Sequence, residues 1–199
     1  MNIFCSDLEG VWVPEIWINV AKKTGIDDLK LTTRDITDYD VLMKRRISIL
    51  KQHNLKLKDI QDVIRTIKPL DGALDLLDWI RSVSQIHIVS DTFIEFAEPL
   101  MSQLGRPSLF CNQLIVSEEG MIVGYNLRQP DQKREVAKAF KGLNYKVIAF
   151  GDSYNDISML KEADEGILFC PPDCVQTDYP QFPVVKTYPE LKKLLLKAL

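Results

Sequence analysis

Short unbroken apolar runs alternate along the chain with stretches whose apolar positions recur every three or four residues. That is the pattern of strands buried in a parallel sheet and separated by helices. Asn2–Ser6 reads as a first buried strand ending at Asp7. Residues 85–90 read as a second strand running into Asp91, 146–150 as a third ending at Gly151-Asp152, and 166–169 as a fourth stopped by Pro171-Pro172. Helical periodicity covers Ala73–Val83 and residues 93–104, 132–143, 155–163 and 190–199. Two segments break the alternation. Residues 14–68 hold no good strand and three helical patterns, with Pro69 and Gly72 at their end. They predict a helical cap (15–68) inserted into an α/β core made of residues 1–14 and 69–199. Residues 110–128 alternate apolar and polar positions around Glu118-Glu119-Gly120 and predict a β-hairpin.

Composition narrows the class. The 199 residues are 46% hydrophobic and 27% charged, ordinary for a globular chain with one core and a small insertion. With 25 basic against 28 acidic residues and a net charge of −3, no basic excess is present to neutralise nucleic acid. No apolar run approaches the ~20 residues that span a bilayer. The start, Met1 to Asp7, lacks a basic region and predicts no signal peptide. Cys5, Cys111, Cys170 and Cys174 read as reduced packing thiols of a cytosolic protein. Cys170 and Cys174 lie close in sequence, but His53 and His87 are the only histidines, and neither forms a spaced pair with a cysteine for zinc.

The chemistry collects where the strands end, which is where open α/β sheets bind ligands. Asp7-Leu8-Glu9-Gly10, Ser90-Asp91-Thr92 and Gly151-Asp152-Ser153-Tyr154-Asn155-Asp156 each follow a predicted strand, and Lys133 opens the helix before the last cluster. Carboxylates converging from separate strands repel unless a cation joins them, and Mg²⁺ suits an all-oxygen donor set.

This ordered set resembles the haloacid dehalogenase superfamily of aspartate-based phosphotransferases over almost the whole chain, which implies a Rossmann-like core under the cap. Residues 7–17 are similar to its phosphoserine phosphatase branch. Glu9 and the run from Thr32 to Lys44 are similar to a bifunctional subgroup that also transfers phosphate from phosphoserine to homoserine. The resemblance implies Asp7 as nucleophile and Glu9 as acid and base. It implies Mg²⁺ held by Asp7, Asp152 and the Glu9 carbonyl, and phosphate bound by Ser90, a backbone N–H near Asp91, and Lys133. Asn155 joins the substrate-binding set, Asp156 orients Lys133 or a metal-bound water, and Glu15 meets the substrate ammonium. A cytoplasmic homodimer acting on small molecules follows from the same subgroup. Glu stands at position 9 where most relatives have Asp. Ser153-Tyr154 replaces a smaller loop, and its bulk is expected to narrow the substrate entrance.

Several residues keep a plainer reading beside this one. Ser90 and Asp91 could cap the following helix. Arg134 and Lys138 lie near Lys133 on the same helix, so only the resemblance prefers Lys133. Glu15 suits a helix start by the dipole alone. On the helix Tyr39–Gln52, Arg46 falls among Leu42, Met43, Ile47, Ile49 and Leu50, while Arg45 points away. Arg46 therefore needs a substrate carboxylate, an internal salt bridge, or a route to solvent. Trp12, Trp17 and Trp79 read as packing, and His87 as structural. The rival functions are a phosphatase for another small metabolite and a non-catalytic module that binds a phosphorylated ligand.

Overall fold

The computed structural model describes residues 1–32, 35, 36 and 38–199. In chain order its elements are β1 (Asn2–Ser6), α1 (Ile16–Thr24), α2 (Tyr39–Gln52), α3 (Leu57–Ile64), α4 (Ala73–Val83), β2 (Gln85–Phe93), α5 (Ile94–Gln103), β3 (Ser108–Val116), β4 (Ile122–Asn126), α6 (Gln132–Gly142), β5 (Lys146–Gly151), α7 (Ile157–Glu162), β6 (Glu165–Phe169), α8 (Asp173–Asp178), β7 (Val184–Val185) and α9 (Tyr188–Ala198). The strands form one sheet in the order β4-β3-β2-β1-β5-β6-β7, with β3–β4 as its antiparallel pair. The α/β fold with its hairpin is as the sequence predicts.

Alternate residues of each central strand feed two cores. Phe4, Ile86, Ile88, Ile148 and Phe150 pack on one side of the sheet. Ile3, Cys5, Val89, Val147 and Ala149 pack on the other. Burial on both faces is why these strands read as unbroken apolar runs. β1 lies between β2 and β5 in parallel register, so the carboxyl ends of three chemistry-bearing strands adjoin.

Some boundaries differ from the expected ones. β2 runs on to Phe93, and α5 starts at Ile94 with Phe93 in the capping position, so Ser90 and Asp91 cap no helix. Asn155 lies in a 3-10 turn, Tyr154–Asp156, ahead of α7. α9 starts at Tyr188, two residues early, because Thr187 accepts from Glu190 N at its start. α8 and β7 have no counterpart in the sequence reading.

Between β1 and α4 the chain forms α1, a short 3-10 turn (Asp27–Lys30), α2 and α3. Gly25 ends α1 at φ 71°, a left-handed position that suits glycine. Asp38 starts α2 by accepting from Val41 N at 3.1 Å. Within the subgroup-like run, Thr33, Arg34 and Thr37 lie outside the described residues. The two ends of the insertion meet where Leu70 N donates to Trp12 O at 2.9 Å. The hairpin packs against it, with Leu57 N donating to Gly120 O at 2.9 Å and Tyr125 Oη donating to Asp40 at 2.6 Å.

Candidate active site

Asp7 follows β1, and its carboxylate is buried at 5% exposure. One oxygen accepts from Leu8 N at 2.7 Å and the other meets Lys133 Nζ at 3.0 Å. Lys133 comes from the first turn of α6 and also donates to Asp156 at 2.7 Å. Asp156 in turn accepts from Asp152 N and Ser153 N, both at 3.0 Å, which fixes the turn after β5. Arg134 stays at the surface, paired with Glu162 at 3.1 Å. Burial decides what composition could not.

Asp7, Asp152 and Asp156 each place a carboxylate oxygen within 4.8 Å of the others. Burial first, then Asp156 and Asp152, push the Asp7 carboxyl up, against the pull of Lys133. Burial alone would lower the Lys133 ammonium, but Asp156 and Asp7 outweigh it and hold it well above its ordinary value. Lys133 pairs with two of these buried carboxylates, Asp7 and Asp156, and all three are hard oxygen donors. A divalent cation of the Mg²⁺ type fits that donor set. Gly10, at φ 75°, makes the approach possible, since a Cβ there would stand 2.5 Å from an Asp152 oxygen.

Above this cluster, Glu9 accepts from Ile16 N at 2.7 Å, the first amide of α1. Burial, then repulsion from Glu15, pushes the Glu9 carboxyl up to about 8. Arg46 is buried at 7% exposure with its guanidinium 4.5 Å from the centre of the Trp17 ring. One amino group donates to Leu31 O at 2.8 Å, while the buried Nε has no hydrogen-bond partner among the described residues. Burial pulls Arg46 down to about 10, against Glu9 and Glu15. Trp17 therefore lies in the site wall as well as in packing. Trp12 is wholly buried, with its indole N–H on Ser6 Oγ at 2.7 Å.

One cavity of about 410 Å³ is lined by Asp7, Glu9, Ser90, Asp91, Asp152 and Asn155, and also by Glu15 and Arg46. Lys133 pairs with Asp7 and with Asp156. Eight of the sequence-named residues thus line one cavity, and Lys133 and Asp156 join them through Asp7. A neighbouring cavity of about 800 Å³ shares Tyr39, Asp91 and Asn155 with it. Tyr154 lines that neighbour and donates to Asp178 at 2.6 Å, while Ser153 lines the cavity over Asp7. Asp91 accepts from Gln132 and from Asn155, both at 3.0 Å. Tyr39 and Gln132 escaped the sequence reading as site residues. Tyr39 and Gln132 each begin a helix with ordinary periodicity, and nothing in their spacing points across the fold.

The haloacid dehalogenase-like hydrolase family matches residues 7–164. The chain is similar to a protein of Pseudomonas aeruginosa named phosphoserine phosphatase ThrH, at 60% identity across 100% of this chain and 97% of that one. It is 59% identical to a phosphoserine phosphatase of Pseudomonas syringae pv. tomato, across 100% of this chain and 84% of that one. Among solved structures, a phospho-aspartyl intermediate analogue of phosphoserine phosphatase superposes with a TM-score of 0.80 at 21% identity, covering 97% of this chain and 98% of that one. A substrate-bound phosphoserine phosphatase gives 0.77 at 20% identity, covering 98% and 97%. At such identities these two speak for the fold, while the family match and the Pseudomonas relatives fix the membership: the chain belongs to the haloacid dehalogenase-like hydrolases.

Proposed function

We propose that this protein removes phosphate from L-phosphoserine through a phosphoaspartyl intermediate on Asp7, and can also pass the phosphoryl group to homoserine. One observation carries the reading: a single cavity is lined both by a nucleophile with cationic support, Asp7 paired to Lys133, and by an acid and a guanidinium, Glu15 and Arg46. The first suits a phosphate and the second an amino-acid zwitterion. The names of the Pseudomonas relatives point the same way.

In this mechanism an Asp7 oxygen attacks phosphorus as the bond from phosphorus to the serine oxygen breaks. Glu9, protonated into the neutral range, gives its proton to the departing oxygen. It then takes a proton from water or the homoserine hydroxyl, whose oxygen attacks phosphorus and frees Asp7. Ser90 and an N–H near Asp91 hold phosphoryl oxygens, Lys133 balances their charge, and Asp156 fixes Lys133. Asn155 orients Asp91. Glu15 meets the substrate ammonium and Arg46 its carboxylate, giving the orphaned Nε a partner. Asp7, Asp152 and the Glu9 carbonyl would hold Mg²⁺, which when bound supplies charge neutralisation and alignment of the phosphoryl group. Residues 15–68 act as a cap that excludes bulk water when shut. A cytoplasmic homodimer belongs to the same proposal.

The test is Asp7→Asn with phosphoserine and Mg²⁺. Turnover should fall by at least 10³-fold, and acid-quenched wild type given ³²P-phosphoserine should carry label that the variant lacks. Near-normal turnover in the variant removes Asp7 as nucleophile. Product analysis with and without homoserine separates transfer from hydrolysis, and faster turnover of a phosphate ester without an amino-acid end would favour the rival substrate class.

A further inference from the structure

Residues 90–92 are a stretch of strand without strand neighbours. The register of β2 with β1 ends at Ser6↔Ile88, and its ladder to β3 jumps from Val89↔Phe110 to Phe93↔Asn112. Three β2 residues therefore face one β3 residue, a wide irregularity beside the site. Backbone groups freed in this way need partners. Ser90 O accepts from Gln132 Nε2 at 2.9 Å, and Thr92 N donates to Ser90 Oγ at 3.3 Å. Asp91 O accepts twice, from Asn112 Nδ2 at 3.2 Å and from the Tyr39 hydroxyl at 3.1 Å. Of these donors, Tyr39 alone belongs to the insertion, on the first turn of α2. Its ring is held apart from that bond, edge-on to Tyr125 at 5.9 Å and 90°.

We propose that Tyr39 is a positioning residue: its hydroxyl sets the orientation of the Asp91 peptide and so links the seating of the insertion to the segment that carries Ser90. This rests on the phosphatase reading for its effect on turnover, but not for the link itself. Tyr39, Asp91 and Asn155 also form the shared wall between the two cavities, so the same bond closes that wall on the insertion side.

The experiment compares Tyr39→Phe with Tyr125→Phe. The first keeps the ring and removes the hydroxyl from Asp91, whereas the second removes the Asp40 contact and leaves Asp91 alone. Hydrogen exchange in the resting protein should quicken about five-fold at the Thr92 amide, which donates to Ser90 Oγ, in Tyr39→Phe only, the size expected for one lost hydrogen bond. On phosphoserine, kcat should fall about five-fold with KM within two-fold. Unchanged exchange at that amide, or equal changes in both variants, overturns the proposal. If wild type fails to turn over phosphoserine, the substrate reading falls, while the exchange comparison still decides the role of Tyr39.

Discussion

Burial, reinforced by repulsion from Glu15, pushes the Glu9 carboxyl up to about 8. An acid must be protonated to act, so kcat/KM for phosphoserine should decline as pH rises through that value. Glu15→Gln removes the repulsion and lowers the Glu9 carboxyl. Its alkaline limb should therefore begin at lower pH, read from a kcat/KM profile whose shape, not height, is compared. A limb at unchanged pH would detach Glu15 from the protonation of Glu9. The carboxylate itself was legible, as an acid just past a strand, but its environment was not. The bond from Ile16 N and the closeness of Glu15 exist only once α1 turns back over the strand end. Lys133 and Arg134 were likewise indistinguishable until α6 packed with one inward and the other outward.

At the scale of elements, strands buried on both faces were the easiest to read, because unbroken apolar runs leave little else for them to be. β7 has two residues and α8 six, too few to display a period. The extension of β2 past Ser90 was hidden for another reason. Ser, Asp and Thr favour helix starts and turns locally, and here the partners that hold them extended come from α2, α6 and β3. The turn after β1 carries a sharp constraint. Gly10→Ala forces a left-handed backbone on alanine and drives its Cβ into the Asp152 carboxylate. We expect a loss of about 1–3 kcal/mol in stability, measured by denaturant melts, and a fall in turnover of more than ten-fold. Wild-type turnover in a folded variant would show that Asp152 can shift without consequence.

Across the whole molecule, the site exists because the insertion brings Glu15 and Arg46 over side chains that the sheet presents at its strand ends. The division of labour makes a prediction. Arg46→Ala should cut kcat/KM for phosphoserine about a hundred-fold, as a bidentate contact to a carboxylate disappears. Turnover of an aryl phosphate, which has no carboxylate to bind, should change by less than three-fold. Equal losses on both would mean that Arg46 serves the architecture through Trp17 and Leu31 instead.

The junction at Trp12 O and Leu70 N bears on how such a chain can diversify. The segment between them begins after β1 and ends before α4 at points joined by a hydrogen bond, so its length is uncoupled from the order and spacing of the strands. A different set of helices grafted between those points would give new side chains to the roof of the cavity while the floor kept its chemistry.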